Sequence, residues 1–132
     1  MPDAKRNTLD DSFTLNIDLP PTILGAAGIA PPAGMQGRDI AALYLPRRNG
    51  ATTWREEFFY EYKLSNGRSM PTNSALVRKD FKYIYWPQFK YEQLFNLEAD
   101  PLEDDDIVNK TEYQVILFEM RQRHNELELE VR

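Results

Sequence analysis

Between Ala75 and Asp104 the chain reads ALVRKDFKYIYWPQFKYEQLFNLEADPLED. This is the signature of aromatic strands followed by a turn that hands over to a helix, since aromatic side chains fit a pleated, half-buried surface. Ser74 to Lys79 and Phe81 to Trp86 form either a strand pair or one long bent strand. Pro87 closes it, because proline cannot donate to a sheet ladder. Tyr91 to Leu97 is the last strand. Upstream, Glu56 to Lys63 reads as a further strand, and Ser65-Asn66-Gly67 as a turn in which Asn-Gly tolerates positive φ. Downstream, Thr111 to about Glu130 is a long helix with Thr111 as its N-cap. Tyr113, Ile116, Leu117, Met120, His124 and Leu127 fall along one stripe of it, while Glu119, Arg121, Gln122, Arg123 and Glu126 lie mostly off that stripe. Strands followed by one amphipathic helix predict an α+β fold: a small antiparallel sheet of about four strands packed against the long C-terminal helix.

The first third has a different character. Residues 1 to about 12 are polar. Phe13, Leu15 and Ile17 alternate with polar residues at the period of a short strand. Pro20-Pro21 can open a helix over Thr22 to Ala27, and Gly28 is placed to stop it. A Pro/Gly-rich loop follows, after which Asp39 can cap a short helix over Ile40 to Leu45, ended by Pro46.

The 132 residues suffice for a modest core. A net charge of −5 argues against a broad nucleic-acid-binding face and against unaided binding to anionic membranes. With no cysteine, disulfides and cysteine-ligated metals are excluded. No apolar run approaches the length of a membrane span. Met1 to Arg6 lacks a hydrophobic run behind it and does not read as a secretory signal.

Several ordered blocks resemble one family. Val77-Arg78 followed by Phe81-Lys82-Tyr83-Ile84, then Tyr91 to Leu97, then Asp100-Pro101-Leu102-Glu103, is similar to V-R-T-x-x-Y-K-Y-I, E-L-Y-D-L and D-P-x-E at the C-terminal end of type I sulfatases. These are the formylglycine-dependent, arylsulfatase-like hydrolases of the alkaline phosphatase superfamily. Asn16 to Ile29 is similar to the family's N-I-D-L-A-P-T-I-L-D-L-A-G-I, Met35-Gln36-Gly37-Arg38-Asp39 to M-Q-G-R-S, and Trp54 to Glu61 to W-R-D-E-F-F-Y-E. Two departures stand out. Tyr62 stands where many relatives have histidine, and Asp104-Asp105-Asp106 replaces the usual Glu/Asn-rich N-L turn.

The resemblance implies that residues 1–50 are a lead-in and an edge segment of a catalytic domain, and that 51–132 are the C-terminal subdomain. It implies a missing N-terminal catalytic domain as partner, calcium as the cofactor of the full-length parent, and a parent that is periplasmic, secreted or lysosomal. It also implies that the strand around F-F-Y-E and the loop before V-R help line the cleft rim. The corresponding positions here are Tyr60, Glu61, Tyr62, Thr72, Asn73 and Arg78. Arginine suits sulfate or carboxylate through its planar fork. Cut from its body, the N-terminal segment is expected to be mobile, swapped or paired with another chain, so a homo-oligomer or domain swap is anticipated.

No catalytic group is expected in this chain. Ser69-Met70-Pro71-Thr72-Asn73 mimics the family's C/S-x-P-S/A-R nucleophile motif, but Asn73 stands where arginine is required, and the downstream L-T-G-R is absent. The bland reading is a turn. Asp100 and Glu103 to Asp106 are dense in acid but match no EF-hand, so they read as a solvated turn rather than a cation site. Asp18 reads as structural. His124, the only histidine, lies on the apolar stripe and reads as packing. Asn109-Lys110-Thr111 is a glycosylation sequon whose threonine serves equally as a cap.

Three functions follow. The chain is the non-catalytic C-terminal fragment of a sulfatase acting on sulfated sugars, completing the fold and cleft rim. Alternatively it is a stand-alone carbohydrate or protein interaction module derived from such a tail, or a fragment of a related phosphate-ester hydrolase.

Overall fold

A computed structural model describes residues 9–45, 53–63 and 71–131. The chain divides into two compact units, Met1–Arg55 and Glu56–Arg132.

In the second unit the aromatic stretch forms the sheet. Strands β1 (Glu57–Tyr62), β2 (Asn73–Arg78), β3 (Phe81–Trp86) and β4 (Tyr91–Asn96) pair antiparallel in chain order. The alternative of one long bent strand is resolved into two, because Lys79 and Asp80 turn the chain and Leu76 comes to lie opposite Tyr83. Tyr83 in turn lies opposite Leu94. This row faces helix α3 (Gln114–Glu130), and Leu76, Tyr83 and Leu94 share one buried cluster with Ile107, Val108, Leu117 and Met120. Residues one place along point to the other face. There Ala75, Ile84 and Phe95 form a second cluster with Trp86 and Leu97. β2 is therefore buried on both faces. The predicted Ser65-Asn66-Gly67 turn lies outside the described residues.

The helical stripe is in place. Leu117, Met120 and His124 are buried, and Tyr113, Ile116 and Leu127 pack beside them. Thr111 does not cap α3, contrary to expectation. It starts a 3-10 turn over Thr111–Tyr113, with no side-chain cap. Gln114 instead donates its Nε2 to the carbonyls of Val108 (3.0 Å) and Lys110 (3.2 Å), reaching back over the turn.

In the first unit the alternation of Phe13, Leu15 and Ile17 does not make a strand. Asn16–Asp18 is a 3-10 turn that runs into helix α1 (Leu19–Ala26), with proline at its start. The reason is Asp18. Its carboxylate accepts the Leu15 N–H at 2.7 Å, which curls the chain, and the Arg38 N–H at 2.8 Å. The Thr22 hydroxyl donates to the Asp18 carbonyl and accepts the Ile40 N–H. Gly37 passes so close to Ile17 that a Cβ there would sit 1.7 Å from the Ile17 carbonyl oxygen. Gly28, with φ of 73°, ends α1 as anticipated. Asp39 Oδ1 accepts the Ala41 N–H at the start of α2 (Ala41–Tyr44).

Candidate functional site

Four of the six expected rim positions, Glu61, Tyr62, Thr72 and Asn73, gather at one end of the sheet, and Tyr60 lies further along β1, opposite Ala75. The β1–β2 register sets Glu61 opposite Ser74 and Tyr62 opposite Asn73. A cleft of about 130 Å³ opens there, walled by Glu61, Thr72, Asn73 and Ser74, with Tyr85 from β3 and Glu128 from α3. Period-two alternation turns Tyr62 to the opposite face from Glu61, and it is 40% exposed. The Glu61 carboxylate pairs with Lys63 at 2.7 Å. Gln88 holds Thr72: its Oε1 accepts the Thr72 N–H at 3.1 Å, and its Nε2 donates to Oγ1 at 3.4 Å.

Beneath this cleft lies a pair the sequence did not announce. Ser74 Oγ and His124 Nε2 are 2.9 Å apart and buried. The rings of Phe59, Tyr83 and Tyr85 stand edge-on around the imidazole, at centroid distances of 5.2, 5.1 and 6.4 Å. Burial pushes the His124 pKa below its usual value, outweighing Asn125 and the more distant charges of Glu128 and Glu61. A buried, neutral imidazole ringed by aromatics is a packing group, as its position on the stripe implied. Fifty residues separate it from Ser74, so only the register reveals the contact.

Arg78 is not with the others. It ends β2, five residues beyond Asn73, about 17 Å away at roughly 3.3 Å per residue. Its Nε donates to Glu57 Oε2 at 3.2 Å, and Arg123 takes the other oxygen of Glu57 at 2.6 Å. It lines a separate cleft of about 420 Å³ with Glu56, Glu57, Lys79 and Asp80.

The acidic turn is more organised than a solvated run. Asp106 Oδ1 accepts the N–H groups of Leu94 and Val108, each at 3.1 Å, and its Oδ2 accepts the Tyr91 hydroxyl at 2.8 Å. Glu103 pairs with Lys82, Asp105 with Lys110, and Asp100 accepts the Asp105 N–H. These carboxylates are spent on cations and backbone N–H groups. Among the described residues no three His, Asp or Glu side chains gather as metal ligands. The turn therefore does not fit a calcium ion, which needs several oxygens converging on one point.

Residues 1–130 match the protein family described as N-sulphoglucosamine sulphohydrolase, C-terminal. The chain belongs to this family of C-terminal sulfatase domains. It is 25% identical over 111 residues to an N-acetylglucosamine-6-O-sulfatase of Bacteroides thetaiotaomicron, covering 83% of this chain and 20% of that protein. It is 32% identical over 110 residues to an arylsulfatase of Clostridium perfringens, covering 83% and 21%. A solved structure of a protein in complex with its substrate, D-Glucosamine-2-N, 6-O-disulfate, superimposes with a TM-score of 0.80 at 25% identity, over 93% of this chain and 25% of that one. The chain thus spans about a fifth of the length of these curated relatives. The C-terminal sulfatase domain carries the α+β fold expected from the strand and helix pattern. No helix among the described residues is long and apolar enough to cross a membrane.

Proposed function

We propose that this chain is the C-terminal part of a sulfate-ester hydrolase acting on sulfated sugars, and that it carries no catalysis of its own. The observation that carries this reading is the family match over residues 1–130, set against relatives named as sulfatases of which this stretch makes up about a fifth. The remaining four-fifths would hold the nucleophile and the calcium ligands. In this reading Glu61, Tyr62, Thr72 and Asn73 form part of the cleft rim, and Arg78 is a second contact point at the far end of β2. A paired Glu61–Lys63 and an amide-braced Thr72 offer both donors and acceptors to sugar hydroxyls and sulfate oxygens. The first unit is the edge segment of the catalytic domain. Its Ile17, Leu19, Ile23 and Ile29 are each about half exposed or more, and such surface seeks a partner, either that domain or a second chain.

The test is to read the gene upstream of Met1 and to express the longer protein. A C/S-x-P-S/A-R motif upstream, with release of sulfate from a sulfated glucosamine, supports the reading. Asn73→Ala and Tyr62→Ala should then raise KM more than they lower kcat. A stop codon directly upstream points instead to a stand-alone module.

A further inference from the structure

Among the described residues two that are not glycine have a left-handed backbone, Glu103 (φ 59°) and Lys90 (φ 49°). Such a conformation disfavours any residue with a Cβ, and an observed outlier of this kind is a reason to look for function. Glu103 has a local explanation: its carboxylate meets Lys82 Nζ at 2.7 and 3.0 Å. Lys90 has none. It closes the loop of residues 87–90 between β3 and β4, where glycine or asparagine is the usual choice. Its side chain is exposed, and its ammonium has no ion pair or hydrogen bond among the described residues.

Lys90 stands at a junction. A cleft of about 340 Å³ is lined by Tyr83, Tyr85, Lys90, Glu92, Arg121 and Asn125. A neighbouring one of about 370 Å³ shares Lys90, Glu92 and Arg121, and continues past Asn109, Thr111 and Gln114. Tyr85 also lines the cleft of Glu61, Thr72 and Asn73. The three clefts therefore border one another, with Lys90, Glu92 and Arg121 as walls shared by the first two and Tyr85 as the wall shared with the third. Arg121 is committed to Glu92 through Nε (3.0 Å) and Nη2 (2.5 Å), which cancels that carboxylate. Lys90 is left as the uncompensated cation of the junction. Phe89 and Tyr91, 64% and 46% exposed, flank it with ring surface, and the Tyr91 ring is fixed by its bond to Asp106.

We propose that this groove holds a saccharide chain extending from the cleft rim, with Lys90 contacting one anionic group on it, a sulfate or a uronate carboxylate. The inference rests on the sulfated-sugar reading above. One unpaired cation, set beside the Arg121–Glu92 pair among amides, hydroxyls and tyrosines and with the Glu61 and Glu128 carboxylates toward the rim, suits a sugar bearing a single well-placed charge, not a dense polyanion, and the chain's net charge of −5 agrees.

The test is a titration of the 132-residue chain, followed by amide NMR, with a uronate-containing hexasaccharide that carries a single sulfate and with the same hexasaccharide stripped of sulfate. Saturable shifts at residues 85–92, 121 and 125 are expected. Lys90→Gly and Lys90→Asn, which suit the left-handed backbone, should weaken binding about tenfold, the scale of one charge-assisted hydrogen bond, without lowering Tm. Lys90→Arg should bind as the parent does. Loss of binding on desulfation assigns the contact to sulfate, and retention assigns it to carboxylate. Unchanged affinity in Lys90→Gly, shifts confined to other surfaces, or no saturable shift at all overturns the groove. Any of these results alongside sulfate hydrolysis by the longer protein would remove the groove and leave the sulfatase reading standing.

Discussion

Asp18 and Arg55 form a buried, two-pronged ion pair that ties the last residue of the first unit to the start of α1. Arg55 Nη2 donates to Asp18 Oδ1 at 2.7 Å, and Nη1 donates to Oδ2. Arg55 also lies over the Trp54 ring, 5.3 Å from its centroid. Asp18 is fully buried, and no buried side-chain polar atom among the described residues lacks a partner. Removing one half of such a pair strands the other, at a typical cost of about 3–5 kcal/mol. Asp18→Asn and Arg55→Met are each expected to unfold the first unit, read by Trp54 fluorescence in urea in a Trp86→Phe background. A shift below about 1 kcal/mol would show that the pair is not what holds these segments.

The same carboxyl sets an acid limit. Burial works to raise the Asp18 pKa, but Arg55 and the N–H groups of Arg38 and Leu15 together bring it below the usual aspartate value. Its contribution is present above the unfolded value of about 3.9 and is lost as pH falls through the lower folded value. The urea midpoint of the parent chain followed by Trp54 should therefore drop below pH 4; a midpoint unchanged from pH 6 to pH 3 would contradict this.

Gly37 and Gly34 make a matched pair. A Cβ at Gly37 would collide with the Ile17 backbone, whereas nothing lies within 4 Å of one at Gly34. Gly37→Ala should cost about 1–3 kcal/mol or more, since neither backbone can yield freely. Gly34→Ala should be near neutral. Equal melting curves for the two variants would contradict the close approach.

His124 gives the second unit a different pH response. Its folded pKa is depressed, so above about pH 6.5 the imidazole is neutral in both states and full stability is present. As pH falls from there toward the folded value, the unfolded chain takes up a proton that the folded one refuses, and stability drops. Tyr83, Tyr85, Phe59 and Ser74 surround the ring, with Glu61 and Glu128 the nearest acids to affect it. Urea midpoints between pH 7.5 and 5 should fall in the parent chain and fall less in His124→Gln.

Met120 and Phe118 separate core from surface on α3. Met120 is fully buried and Phe118 is 54% exposed. Met120→Ala should cost about 2–5 kcal/mol and Phe118→Ala much less. Similar shifts in the two thermal melts would mean that the helix is rotated from its described orientation.

The second unit was legible because its signals are local and agree: aromatic strands, Pro87, and a stripe repeating through Leu117, Met120 and His124. The first unit was harder to read. The period of Phe13, Leu15 and Ile17 is a true strand pattern, overridden by a carboxylate that gathers the N–H groups of Leu15 and Arg38, the latter twenty residues beyond Asp18 itself. Thr111 failed as a cap because it begins a 3-10 turn, and the α-helix proper starts three residues later at Gln114. At the candidate site, motif position grouped Arg78 with Glu61 and Asn73, but the six-residue length of β2 sets them at opposite ends. Ser74–His124 and the junction at Lys90 depend on register and on a backbone angle, which no spacing in the sequence encodes.

The most direct test of the central claim, that this chain is the non-catalytic C-terminal part of a sulfatase, is hydrolysis of a chromogenic aryl sulfate by the purified chain with calcium added. No turnover above the buffer blank is the predicted result. Turnover that survives stringent purification and co-elutes with the chain would contradict it.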